Sequence, residues 1–435
     1  MNSFVEIIAN YYNNQSENEW ERLERHRTEY AVTLRALSTY LPPPPARILD
    51  CGGGPGKYST EMARQGYQVT LFDLSSGNLQ LAEKKAKEAG VAMEGYEQGN
   101  ALDLSRFQEN SFDIVLLMGP LYHLLELDER VRALSEAHRV LNPGGKLAAA
   151  FISRYAAHRD IARRNPRLLL EMAEFAEQVE QSGRLLPRNV GNDDFVAYLA
   201  HPAEVAPLCW QVGLEVDSIL GVEGIVSMQE EQVNELSGLH WEKWVDLNYR
   251  LAPDPSIHGC VEHLLVLASK PRWRSVLSQI GRRLSEAELE FKIVGGASLA
   301  LQGVQTKVKD LDIEVDAETA YRFQDLFSTY VVQPVSWSES KIYRSHFGRF
   351  DFNGVQVEVM GDLQRVEADT WVPSWSQTRS IVEVDGVSVP VSWLEEETLA
   401  YLRRERLERA ALCLKYCDPD RLLRLLLGQE KTNVI

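Results

Sequence analysis

Apolar residues in this chain recur in two rhythms, and the alternation between them predicts the architecture. Val32, Leu34, Leu37 and Leu41 return at helical spacing amid charges, so residues 3–40 read as two helices, ended by the prolines 42–45. Tyr11 and Tyr12 fall in a polar NYYNNQ stretch that reads as a loop. Apolar runs of strand length follow at Arg47–Asp50, Gln68–Leu74, Phe112–Met118 and Lys146–Ile152, separated by the helical patterns Asn78–Ala89 and Asp128–Val140. Strands alternating with helices predict a parallel sheet covered on both faces. The rhythm breaks at 154–205, where helices reappear as an insert. Helix Pro202–Gln211 and strands Glu215–Leu220 and Glu262–Ala268 complete a seven-stranded, doubly wound α/β sheet. After a short linker at Ser269–Arg272, a helix at Ser275–Leu284, strands around Ile293, Asp310–Ile313 and Val357–Val359, and a helical tail from Leu394 predict a smaller α+β unit. The expected domains are therefore 1–270, with an insert at about 154–205, and 274–435.

Glycines mark the first site. Ile48-Leu49-Asp50-Cys51-Gly52-Gly53-Gly54-Pro55-Gly56 reads as a buried strand ending in a glycine loop before a helix near Tyr58. Glycines there let a ligand lie against the backbone. A phosphate loop would need G-x-x-x-x-G-K-[ST], but Tyr58 follows Gly56-Lys57 and Cys51 stands at the first glycine position. A dinucleotide fingerprint would need glycine where Lys57 stands. Asp73 ends the second strand, where an acid can accept hydrogen bonds from both ribose hydroxyls of a nucleoside. His123, after the fourth strand, is the candidate general base of this half, with Tyr122 beside it.

Composition narrows the class. Hydrophobic residues make up 44% and charged residues 25%, as in ordinary globular proteins, and 435 residues call for two or three domains. No run of about 18 apolar residues exists, which predicts no membrane span. The N-terminus lacks a basic and then apolar leader, and five scattered cysteines suit a reducing compartment, so a cytoplasmic location is expected. A net charge of −17 argues against a nucleic-acid partner and leaves a small-molecule acceptor as the better fit.

The D-x-G-x-G-x-G run resembles motif I of class I S-adenosyl-L-methionine (SAM)-dependent methyltransferases. Asp73 matches the acid at the end of their second strand, and Asn142-Pro143-Gly144-Gly145 matches the turn before their fifth. The resemblance covers Asp50 to Ser153. It implies a Rossmann-like sheet with a helical lid formed by the insert. It implies SAM held by Asp50, Gly52, Gly54, Gly56, Asp73, Leu74, Asn100, Ala101 and Met118, with Tyr122 and His123 facing the acceptor. Where the family usually has Gly-Asp-Ala, this chain has Gly99-Asn100-Ala101.

In the second unit, Gly295-Gly296 is followed after 13 residues by Asp310-Leu311-Asp312-Ile313. In a strand, Asp310 and Asp312 share a face, as metal ligands must. The pattern resembles the DNA polymerase beta-like nucleotidyltransferases. That resemblance implies Mg²⁺ on Asp310, Asp312 and Glu358, a nucleoside triphosphate against Gly295, Gly296 and Ser298, and Glu358 as base or metal ligand. The chain then reads as a bifunctional transferase, a methyltransferase fused to a nucleotidyltransferase-like domain. Two other readings stand beside it. The second domain could be a non-catalytic binding or dimerisation module, the latter making a homodimer, or the whole could modify RNA.

Overall fold

The computed structural model describes residues 3–186, 195–367, 369–374 and 378–427, in two compact units, Met1–Lys270 and Pro271–Ile435. Residues 187–194, inside the expected insert, lie outside the described residues.

The first unit opens with helices α1 (Ser3–Arg25) and α2 (Arg27–Tyr40). Tyr11 and Tyr12 lie inside α1, not in a loop. The polar NYYNNQ stretch has no helix breaker, and the continuing helix rests against the helix at residues 76–88, where Asn13 accepts from the Ser75 hydroxyl at 2.7 Å and Gly77 N at 3.1 Å. There follow β1 (Arg47–Cys51), α3 (Lys57–Arg64), β2 (Gln68–Asp73), α4 (Ser76–Glu88), β3 (Gly95–Gln98), β4 (Phe112–Leu117), α5 (Leu127–Val140) and β5 (Leu141–Ser153). Ser75 caps α4 by accepting a hydrogen bond from the Asn78 N–H. The insert forms α6 (Ala156–Arg164), α7 (Leu168–Glu171), α8 (Ala173–Ser182) and the short strands β6 (Arg184–Leu185) and β7 (Ala197–Ala200). After it come α9 (Pro202–Gln211), β8 (Glu215–Gly221), α10 (Glu230–Asn234), α11 (Gly238–Leu251), α12 (Pro255–His258) and β9 (His263–Ser269).

Seven strands in the order β3-β2-β1-β4-β5-β9-β8 form the expected doubly wound sheet. Its first four strand pairings are parallel, while β9 runs antiparallel to both β5 and β8. The sheet is larger than expected by two strands, because β7 of the insert pairs with the end of β5 and β6 pairs with β7. The insert thus adds sheet as well as helix. Leu49, Val115, Leu147 and Val266 are fully buried between sheet and helices, as near-continuous apolar strands require. No helix among the described residues is long and apolar enough to cross a membrane.

The second unit comprises α13 (Arg272–Glu286), β10 (Lys292–Val294), α14 (Gly295–Leu301), β11 (Asp310–Val315), α15 (Ala317–Leu326), β12 (Val331–Glu339), β13 (Tyr343–Phe352), β14 (Val355–Glu367), β15 (Thr370–Pro373), β16 (Arg379–Val384) and β17 (Val387–Ser392). Helices α16 (Leu394–Arg403), α17 (Leu407–Leu414) and α18 (Pro419–Leu426) end it. Its mixed sheet runs β12-β13-β14-β11-β10-β17-β16, with β15 on β14. Cys413 is buried in an apolar cluster with Leu299, Leu394 and Tyr401, which ties the tail helices to α14.

Candidate active sites

In the first unit, β1 ends at a loop whose glycines each answer a different steric demand. Gly52 has φ +72°, and a Cβ there would lie 2.4 Å from Pro120 Cδ, so the loop after β4 presses on it. Gly56 (φ +78°) would meet Ala82 of α4 at 3.0 Å and sits behind the loop, off the cavity wall. Gly54 (φ +58°) has no neighbour nearer than Asn78 Nδ2 at 3.9 Å, and faces open space. A single cavity gathers Asp50, Gly52, Gly54, Asp73, Leu74, Asn100, Ala101, Met118, Tyr122 and His123. Ten of the residues expected to hold cofactor or acceptor therefore converge. Tyr155, Arg159, Tyr198 and His201 of the insert region are not in that wall.

Asp50 is 1% exposed. Its Oδ2 accepts from the Ser59 hydroxyl at 2.6 Å, while Oδ1 is buried with no partner. Burial pushes its carboxyl up to about 7 despite the Ser59 bond, and the Asp73 charge adds to the rise. A buried acceptor left open in a cavity wall suits a charged N–H donor, such as the ammonium of a bound amino acid. Asp73 is more occupied than its sequence position suggests. Its Oδ2 accepts from Gly54 N at 2.8 Å, and its Oδ1 from Ser75 N at 2.8 Å and Asn78 Nδ2 at 3.2 Å. It shapes the glycine loop as well as lining the cavity. The Asn100 side-chain oxygen accepts from Leu102 N at 3.0 Å. The open Asp50 oxygen, the side-chain-free loop and the Asp73 carboxylate together fit a ligand with an amino acid at one end and a nucleoside at the other.

His123 also lines this cavity. Its Nδ1 donates to the Val196 carbonyl at 2.7 Å, which assigns the proton to that nitrogen and leaves a lone pair on Nε2. That lone pair accepts from the Tyr12 hydroxyl at 2.6 Å. Burial lowers the imidazole pKa to about 4, so the ring is neutral at physiological pH. Tyr12, Tyr122 and Phe195 surround it edge-on, with centroids at 5.3, 4.8 and 5.3 Å. Burial pushes the Tyr12 and Tyr122 phenols well up. The ring is therefore neutral with a lone pair on Nε2, but Tyr12 of α1 occupies that nitrogen. Helix α1 also brings Val5, Ile8, Glu19 and Arg22 into the wall.

Sequence reasoning missed a charge network beside this cavity. Arg22 grips Glu29 with both guanidinium nitrogens, at 2.8 and 3.1 Å. His263 Nδ1 lies 2.6 Å from Glu223 Oε1 and 3.7 Å from Glu29, while Glu223 Oε2 accepts two backbone N–H groups, of Glu262 and His263. Burial alone would lower the His263 pKa, but Glu29 and Glu223 overcome it and hold it up at about 9. Likewise burial would raise Glu29, and Arg22 and His263 bring it down to about 2. Among the described residues, Glu29, Glu223 and His263 are the one trio of ligand-type atoms within 4.8 Å of each other. Their hydrogen bonds are already made, as in a structural ion network. Arg22 and Glu29 stand on separate helices, α1 and α2, so no helical period in the sequence signalled their pairing.

In the second unit, strand periodicity places Asp310, Asp312 and Glu314 on one face of β11, and Leu311, Ile313 and Val315 in the core. Register sets Asp312 beside Glu358 of β14 and opposite Val294 of β10. Burial, then Asp310, Glu358 and Glu397, raise Asp312 to about 7. An acid raised in this way by neighbouring carboxylates fits a divalent cation, although the oxygens of Asp310, Asp312 and Glu358 do not all lie within 4.8 Å of one another and would have to draw in around it. The remaining acids of the DLDIEVD run are accounted for. Glu314 faces Lys292 at 3.4 Å, both buried, and Asp316 caps α15 through Thr319 N at 2.6 Å.

Three details differ from expectation. Glu358 is paired with Arg349 at 2.9 Å across the β13–β14 register. The Ser298 hydroxyl, expected against phosphate, is fully buried and donates to the Ser392 carbonyl at 3.1 Å, fastening α14 to β17. The Gly295 N–H donates to Glu397 at 2.9 Å, whereas Gly296 faces open space. Glu397 comes from the tail, which offered no sequence signal for this role.

Comparison with known proteins bears on both units. A family model described as a methyltransferase domain matches residues 49–149, and one described as aminoglycoside-2''-adenylyltransferase matches residues 276–412. The ubiquinone biosynthesis O-methyltransferase of Xanthomonas axonopodis pv. citri (strain 306) is 32% identical over 192 residues, 44% of this chain and 72% of its own. Among solved structures, a putative nucleotidyltransferase from Thermotoga maritima is 34% identical and matches 37% of this chain and 96% of its own, with a TM-score of 0.31. A SAM-dependent methyltransferase from Methanosarcina mazei is 24% identical over 54% of this chain and 97% of its own, with a TM-score of 0.38.

Proposed function

Since the chain belongs to the SAM-dependent methyltransferases and carries a nucleotidyltransferase-type domain behind that one, we propose that it is a bifunctional cytoplasmic enzyme of small molecules. Its first domain methylates a small-molecule acceptor, and its second transfers a nucleotide from a Mg²⁺-bound triphosphate. The observation that carries the reading is the one cavity that joins the unpartnered Asp50 oxygen, the glycine loop and Asp73 to the His123 lone pair.

Bound in that cavity, SAM would supply an activated methyl group on a sulfonium. Asp50 would hold its ammonium, Gly52 and Gly54 would give its chain room, Asp73 would take the ribose, and Leu74, Asn100, Ala101 and Met118 would enclose the base and the methionine stem. His123, neutral and fixed by Val196, is suited to receive the acceptor's proton once Tyr12 yields its place on Nε2. In the second domain Asp310, Asp312 and Glu358 would hold Mg²⁺, and Gly296 offers the unobstructed side of the turn to the triphosphate.

The test uses the whole protein. SAM or its demethylated product should raise the melting temperature, and ATP with Mg²⁺ should raise it again in wild type but not in a D310N/D312N variant. No shift with either adenosyl compound would sink the first assignment. Identical Mg·ATP responses would favour a second reading, a non-catalytic module, to which the Glu358–Arg349 pair already lends support.

A further inference from the structure

We propose that Glu397 is a positioning residue of the second domain's acidic site, acting through Gly295 on Asp312. The inference rests on the nucleotidyltransferase reading of that site.

Three contacts form a short chain. Glu397 stands on α16, 102 residues from the glycine turn, and its Oε1 accepts from Gly295 N at 2.9 Å. Gly295 has φ +67°, and a Cβ on it would lie 2.4 Å from Asp312 Oδ2. The turn is thus pressed onto the Asp312 carboxylate, and only glycine permits that approach. Val294, the residue before the turn, pairs in register with Asp312, so the strand fixes the Asp312 backbone while the turn fixes its side chain.

Burying a carboxylate in this place has a cost that a purely structural contact would not explain. Glu397 is 7% exposed and lies where Asp312, Asp310 and Glu358 already repel one another. Glu314 and Lys292 neutralise each other nearby, and Arg404 at the end of α16 is the cation whose charge reaches both Glu397 and Asp312. A neutral cap would close the turn with less repulsion. What the side chain adds is an acceptor of the right reach, which holds the Gly295 N–H in one place. Residues that orient a metal ligand from behind commonly change metal affinity about 10- to 100-fold when removed.

The experiment is a titration of Mn²⁺, without nucleotide, into the full chain, followed by calorimetry and by water-proton relaxation. D312N, which removes a ligand, should abolish tight Mn²⁺ binding. E397A should weaken it about 10- to 100-fold. E397Q, which keeps an acceptor for the Gly295 N–H, should recover binding to within a few-fold of wild type. Metal-free melting temperatures separate folding from affinity. Should E397A not fold, E397D, which keeps the charge but shortens the reach to Gly295, must weaken Mn²⁺ binding in its place. If D312N loses Mn²⁺ while E397A, or E397D in its stead, binds as wild type does, Glu397 has no positioning role and the domain reading survives. If D312N itself binds like wild type, the acidic site is not a metal site, and both ideas fall.

Discussion

Asp73 offers the most quantitative test of the cofactor cradle. A carboxylate has about four acceptor positions. Three are filled here, by Gly54 N, Ser75 N and Asn78 Nδ2. Unless Asn78, the longest of the three, lets go, Asp73 has room for one ribose hydroxyl rather than the two its sequence position suggested. Removing one charge-assisted hydrogen bond costs about 1.5–3 kcal/mol, or about 10- to 150-fold in Kd. The D73A variant should therefore bind S-adenosylhomocysteine more weakly by that factor. With ligand at about 100 times the wild-type Kd, wild type gains about 2.7 kcal/mol of stability, and a variant weakened 100-fold gains only about 0.4 kcal/mol. The ligand-induced shift in melting temperature should shrink accordingly. Unliganded D73A will itself melt earlier, because three donors lose their acceptor, so the shift and not the absolute temperature is the readout. Calorimetry should return the same ratio of Kd values. A D73A protein that binds within twofold of wild type would refute both the cradle and the bond count.

Other outcomes follow from the buried groups. Asp50 is an acid whose folded pKa, about 7, lies above its ordinary value of 3.8, so folding is penalised progressively as pH rises from about 4 to 7 and fully above that. D50N should remove up to about 4 kcal/mol of that penalty, melting later than wild type at pH 8 while binding SAM more weakly; a variant melting earlier at pH 8 contradicts this. His263 is a base held up at about 9, so its contribution is complete below about pH 6.5 and disappears as pH rises through 9. Counted once for the whole network, that is on the order of 3 kcal/mol. H263Q should be less stable than wild type at pH 6 and nearly equal above pH 9.5 in urea denaturation, and parallel curves would rule the network out as the cause. Y12F should leave the buried His123 nitrogen without a donor, costing about 1–3 kcal/mol, and an unchanged melting temperature would show that the Tyr12–His123 bond does not form in solution.

The local parts of this protein were legible in its residues alone. The order of strands and helices from β1 to β5 follows from hydrophobic rhythm, whereas β6 and β7 of the insert and β12, β13, β15, β16 and β17 of the second unit were not read from it. The cradle follows from a strand running into glycines, because φ and steric room are decided within a few residues. Asp50, Asp73, Asp310 and Asp312 could be placed for the same reason, since a strand's end and its two faces are properties of the strand. Even the expected acceptor wall was half visible, in Tyr122 and His123 after β4. Tertiary structure decided what those side chains touch. Tyr12 reaches His123 across 111 residues, Glu223 and Glu29 trap His263 between separate elements, and Glu397 bonds Gly295 across 102. Such pairings leave no period in the sequence. They arise because buried polar groups must find partners wherever the packed chain brings them, and only the folded chain shows which partner each one found.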